Sequence, residues 1–214
     1  MKKGLAILVG GCMLALSLAG CGGSGSSAAG GSSGSVATGS DGAKVFQVGV
    51  LQQMEHEALD AATQGFQDAL KEALGDQVEI TVQNAQNDSN TCTTIATSFV
   101  SSGVDLIMAN ATNALQAAAA ATDTIPILGT SITEYGVALS LSDFNGTVGG
   151  NISGTSDLAP LDQQAAMLQE WFPDAEKVGL LYCSGEPNSQ YQVDVVKAEL
   201  EEMGYTCTLY PFSD

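Results

Sequence analysis

The 214-residue chain carries 24 Asp plus Glu against 6 Lys and no Arg, for a formal charge of −18, with one His and 5 Cys. Such a surface repels phosphate backbones and excludes nucleic acid as a partner. With no guanidinium available, an anionic group on a small ligand has to be held by backbone N–H groups, hydroxyls and helix N-termini.

In chain order, Lys2 and Lys3 precede an apolar run, Leu5 to Leu18, that is too short to span a bilayer and reads as an export signal. Leu18-Ala19-Gly20-Cys21 matches the lipobox of the bacterial lipoprotein pathway, so residues 1–20 are expected to be removed and Cys21 to carry a diacylglyceryl group. Losing Lys2 and Lys3 moves the formal charge from −18 to about −20. Residues 21–43 are then the lipidated cysteine and a Gly/Ser-rich tether that buries too little apolar surface to order itself. Its reach is roughly 25 Å for a flexible chain of that length. These features place the rest of the chain outside the cytoplasm, on a membrane face.

From Lys44 onward, strands and helices alternate. Strands are expected at Val45 to Leu51, Val78 to Gln83, Val104 to Ala109 and Ile125 to Leu128, with helices at Ala58 to Leu74, Ser89 to Val100 and Asn113 to Ala121. Gly75 and Gly103 fall where helices should stop. This rhythm predicts parallel pairing through right-handed crossovers, an α/β doubly wound sheet. Between Gly129 and Gly150 the rhythm breaks without a clear helix. It resumes with a helix at Leu161 to Phe172, a strand at Val178 to Tyr182, a helix at Ser189 to Met203 and a strand at Tyr205 to Tyr210. The expected organisation is an N-terminal lobe over 44–133, a connector or hinge over 134–157 and an incomplete C-terminal lobe over 158–214. So short a second lobe leaves an open strand edge and an uncovered apolar face, the pattern of a truncated product. Cys92, Cys183 and Cys207 show no metal spacing. They read either as small buried apolar residues or, for Cys183 and Cys207 in an exported protein, as a disulfide pair.

In an open α/β sheet, ligands sit beyond the carboxyl ends of the strands. Here those loops are Gln52 to Glu57, Asn84 to Ser89, Asn110 to Asn113, Thr130 to Thr133 and, in the second lobe, Cys183 to Ser189, and all are polar. Enzymatic chemistry lacks its parts. His56 is the sole histidine, no GxSxG, GxxxxGK or GxGxxG is present, and Glu55, His56 and Glu57 are consecutive, so they cannot all face one ion from a helix. No enzyme activity, cofactor or metal is expected.

The stretches VGVLQQMEHEALDAATQGF, VQNAQND, VDLIMANAT, IPILGTSIT, GGNISGTSDLAP and VGLLYCSGEPNSQYQV resemble the ABC transporter substrate-binding lipoproteins of the tryptophan/tyrosine-type family over residues 46–214. The resemblance implies two Rossmann-like lobes of the type I periplasmic binding protein, the second truncated. They would close on a small ligand, an aromatic amino acid, delivered to a permease with its ATPase. The family usually has an Asp-Pro pair after the fourth strand, where this chain has Thr133-Glu134-Tyr135-Gly136. On this reading Thr112, Ser131 and Thr133 hold the ligand carboxylate, Asp157 or Glu186 neutralises its ammonium, and Gln52, His56, Asn188 and Ser189 line the walls. Asp157 reads equally as a helix cap and Glu186 as a solvated loop charge. The chain is expected to act as a monomer tethered to the membrane by its lipid. A receptor-docking sensor and a structural surface lipoprotein remain open alternatives.

Overall fold

The computed structural model describes residues 44–213, so the expected signal, Cys21 and the tether lie outside the described residues. The chain opens with β1 (Phe46–Gln52), α1 (Glu57–Leu74), a 3-10 turn at Gly75–Gln77, β2 (Val78–Asn84), α2 (Ser89–Ser102), β3 (Leu106–Asn110), α3 (Thr112–Ala121) and β4 (Ile127–Ile132). A short α4 (Tyr135–Ala138) and β5 (Ile152–Ser156) complete the first sheet, ordered β2-β1-β3-β4-β5. Every pairing in it is parallel, as helical crossovers require.

Strands β1 and β3 read as continuous apolar runs because both of their faces are covered. Ile107 and Ala109 join Cys92, Ile95, Phe99, Leu115 and Ala118 in the main core beneath α2 and α3. Met108, on the alternate parity, lies instead with Ala62 and Phe66 of α1. The expected helix stops hold, since Gly75 and Gly103 are the C-caps of α1 and α2.

Two parts depart from expectation. The fourth strand runs to Ile132 instead of ending at Leu128. Its last half shifts register against β5, and Ser131 takes φ 56, a bulge that breaks the period-2 alternation while pairing continues. Strand β5 and helix α4 have no counterpart in the sequence expectations. ISGTS is mostly exposed and carries one aliphatic residue, so it presents no hydrophobic pattern to read.

After the connector come α5 (Leu161–Trp171), β6 (Lys177–Cys183), α6 (Pro187–Glu202) and β7 (Thr206–Phe212). Strands β6 and β7 form a separate parallel pair. Ala165, Leu200 and Tyr205 are buried with Val178, Leu180 and Cys207 on one face, whereas Leu181 is 72% and Tyr210 56% exposed on the other. The described cysteines are free. Cys183 pairs in register with Phe212 and Cys207 with Val178, so the two thiols sit at opposite ends of the β6–β7 ladder and the disulfide alternative falls. Among the described residues no helix is long and apolar enough to cross a membrane.

Candidate ligand-binding site

The order β2-β1-β3 means that the chain leaves β1 on one side and returns on the other, which opens a crevice at the carboxyl ends of β1 and β3. Gln53 sits at that point. It is 4% exposed, its backbone N–H donates to Asn110 O at 3.1 Å, and its Nε2 donates to Asn87 Oδ1 at 3.0 Å. Its Oε1 accepts from the Asn113 backbone N–H at 3.1 Å. One side chain therefore ties the loops after β1, β2 and β3 together. Sequence reasoning singled out Gln52 and passed over Gln53. Strand parity was the available signal, since Val48, Val50 and Gln52 share one face of β1.

The same rim concentrates unusual backbone. Gln86 and Asn87 (φ 54 and 61) follow β2, Ala111 (φ 83) follows β3, and Ser131 (φ 56) lies near the end of β4. Residues with a Cβ held in such conformations cost of order 1–3 kcal/mol each and gather where ligands are held. Helix α3 starts at this rim with no side-chain cap, so its first-turn amides are met by Gln53 at Asn113 and otherwise by no cap from a side chain.

The structure places the expected residues as follows. Gln52 is 4% exposed; its Nε2 donates to Asp60 Oδ1 at 2.5 Å and Met54 O at 2.8 Å, and its Oε1 accepts from Thr63 Oγ1 at 2.7 Å. Asn110 Nδ2 extends this buried chain to Thr63 Oγ1 and Leu59 O. Gln52 thus anchors the first turns of α1. His56 is exposed and is the N-cap of α1, its Nδ1 accepting from the Ala58 N–H at 3.2 Å. Thr112 is buried at the start of α3. Ser131 lies in the bulge and Thr133 follows it, and Thr133 O accepts from Ser156 Oγ at 2.8 Å. Asp157 is exposed with its backbone N–H on Ile132 O at 3.1 Å, and it caps no helix, since α5 has Pro160 at its N-cap. The structure therefore brings Ser131, Thr133 and Asp157 together. Across the chain, Glu186 Oε2 accepts from Ser189 Oγ at 3.0 Å beside Asn188. Asn188 Oδ1 is shielded from solvent with no hydrogen-bond partner, as is Asn110 Oδ1.

The electrostatics of the rim come from what surrounds it. Asp88, the N-cap of α2, is held below the ordinary carboxylate range by donation from the Thr91 hydroxyl and backbone N–H. Lys44 and Lys177 stand at the amino ends of β1 and β6, and Lys71 in the last turn of α1. Lys44 bonds Asp105 at 2.6 Å, which lowers that carboxyl, far from the carboxyl-end loops. Among the described residues no group of His, Cys, Asp and Glu could hold a metal ion. A cavity of about 440 Å³ lies on the α1 flank of the sheet among Ala62, Phe66, Met108 and Leu128, a largely apolar trough lined by no charged side chain.

After β4, Glu134 caps α4. Its two oxygens accept from Gly136 N at 3.0 Å and Val137 N at 2.6 Å. Tyr135 turns its hydroxyl back into the sheet, and burial, with Asp157 nearby, pushes the phenol up to about 12.

Comparison with known proteins accords with this geometry. A tyrosine-binding protein of Clostridioides difficile is 38% identical over 199 residues, covering 90% of this chain and 55% of the relative. The crystal structure of an ABC domain in complex with L-Trp from Streptococcus pneumonia superposes with a TM-score of 0.72 at 35% identity, over 78% of this chain and 57% of that one. The ligand-free, open structure of a substrate binding protein with adhesive properties from Clostridium difficile gives a TM-score of 0.61 at 36% identity, over 79% and 58%. The chain thus spans little more than half the length of these relatives. The layered α/β fold is that of type I periplasmic binding proteins. With the model for ABC transporter substrate binding proteins matching residues 47–213, the chain belongs to that family of binding proteins and not to an enzyme family.

Proposed function

We propose that the chain captures a free aromatic amino acid at the carboxyl-end rim of its first sheet and, exported and lipid-anchored through Cys21, delivers it to an ABC permease with its ATPase. The observation that carries this reading is a rim of strained backbone, neutral amides and hydroxyls, devoid of lysine, at a helix whose N-cap residue, Ala111, supplies no side-chain acceptor. A ligand carboxylate is met there by the first turn of α3, with the Thr112, Ser131 and Thr133 hydroxyls beside it. Asp157 or Glu186 balances the ammonium, and the orphaned Asn188 Oδ1 accepts one of its protons. His56 and Ser189 complete the walls, and Gln52 supports them from beneath.

The two sheets belong to lobes that close by a hinge in the segment joining β5 to α5, and the solvent-facing acidic surface keeps the protein monomeric and free of nucleic acid. The aromatic assignment draws on relatives described as tyrosine-binding or as a complex with L-Trp. Isothermal titration of the full chain with tryptophan, tyrosine, phenylalanine and the branched-chain amino acids tests it. Saturable heat is expected with an aromatic amino acid, and no heat with any of them would sink the assignment.

A further inference from the structure

The Tyr135 ring is 6% exposed, and its hydroxyl lies 3.1 Å from Gly129 O of β4 and 3.2 Å from Thr155 O of β5. A phenol has one proton, so the two carbonyls share a single donor that bridges neighbouring strands. Two glycines make the space. A Cβ on Gly129 or on Gly154 would overlap the Tyr135 hydroxyl, and one on Gly154 would also overlap Gly129 O.

This contact falls where the β4–β5 ladder is weakest. The register shifts between Gly129 and Ile132, and β5 is an edge strand, paired on one side only and mostly exposed. At and beyond the shift, other ties are Thr155 Oγ1 to Thr130 Oγ1 at a long 3.4 Å, Ser156 Oγ to Thr133 O at 2.8 Å and Asp157 N to Ile132 O at 3.1 Å. Residues 158–160 then form no regular structure before α5 begins at Leu161. Strand β5 is the covalent route by which the chain leaves the first sheet, beside the packing of α4 against α6.

We propose that Tyr135 is a hinge clasp: it pins β5 to β4 across the bulge, so that β5 moves with the first sheet and bending is confined to residues 158–160. This rests on the reading that the two sheets close on a ligand, and it adds which residue fixes the pivot. Tyr135 acts on capture by positioning Asp157 and the exit strand. It does not itself touch the ligand.

The test is amide hydrogen exchange on the full chain and its Tyr135→Phe variant, which keeps the ring and removes only the donor. The Asp157 amide should exchange at least about fivefold faster in the variant, the scale of one lost hydrogen bond, with the Val50 and Met108 amides unchanged. An unaltered Asp157 rate overturns the clasp. A uniform acceleration across β1 to β5 also overturns it, because Tyr135 would then be a general contributor to stability. If the wild-type chain gives no heat with any amino acid, the binding reading fails by itself, and the exchange comparison still decides whether β5 is clasped.

Discussion

Ala111 holds φ 83 and ψ 166 with a methyl group where glycine is the natural occupant, at the entry to α3. Ala111→Gly is expected to raise the free energy of unfolding by about 1 kcal/mol, the relief of strain exceeding the added chain entropy. It should also weaken capture, because the α3 amides are then less firmly aimed; urea unfolding and titration calorimetry check the two halves. Gly154→Ala should do the opposite to stability, costing about 3 kcal/mol, since its new methyl meets Gly129 O and the Tyr135 hydroxyl. Tyr135 also sets a pH dependence. Burial raises its pKa from 10.0 to about 12, so the folded chain keeps a proton that the unfolded chain releases. Its contribution is complete below pH 10 and is lost as pH rises towards 12, which unfolding curves taken across that range should follow. Little at this scale was legible beforehand. Hydroxyls and carboxylates could be named as candidates from loop position, but Gln53 linking three loops and Gln52 buried beneath α1 depend on which way successive side chains point at the end of β1.

At the scale of elements, a side-chain cap marks where α2 begins. Asp88 heads α2 with its Oδ1 accepting from the Thr91 backbone N–H at 2.6 Å and the Thr91 hydroxyl at 2.7 Å. Asp88→Ala should lower the thermal midpoint by a few degrees near neutral pH. Because the folded carboxyl titrates below 3.8, its contribution is present above that value, and the variant and wild-type curves should converge as pH falls through it. Strands β6 and β7 make a second point. Leu181 and Tyr210 face solvent, so replacing both by Lys should change stability by less than about 0.5 kcal/mol, checked by urea unfolding. The longer elements were readable because β1 and β3 are apolar runs and α1 is periodic. Strand β5 and the last half of β4 were not, since ISGTS has no apolar pattern and Gly129-Thr130-Ser131 resembles a turn until pairing to β5 holds it extended.

For the whole molecule, a parallel sheet with helices on both faces follows from the alternation visible in the sequence, and the observed strand order β2-β1-β3-β4-β5, with a fifth strand the pattern did not show, fixes where the carboxyl-end crevice lies. The large acidic excess bears on partners more than on fold. On the proposed function, a chain of formal charge −18 without arginine meets a ligand carboxylate through backbone donors, and the carboxyl-end loops offer them. What pattern alone could not give was the meeting of Ser131, Thr133 and Asp157, which rests on an unpredicted bulge and an unpredicted strand. The measurement that tests the central claim most directly is amide chemical-shift mapping of the isotope-labelled chain during titration with L-tryptophan or L-tyrosine. The account predicts saturable shifts concentrated at Asn87, Ala111 to Asn113, Ser131 to Thr133 and Asn188 to Ser189. Shifts confined to the apolar trough of Ala62, Phe66 and Met108, or none at saturating ligand, would contradict it.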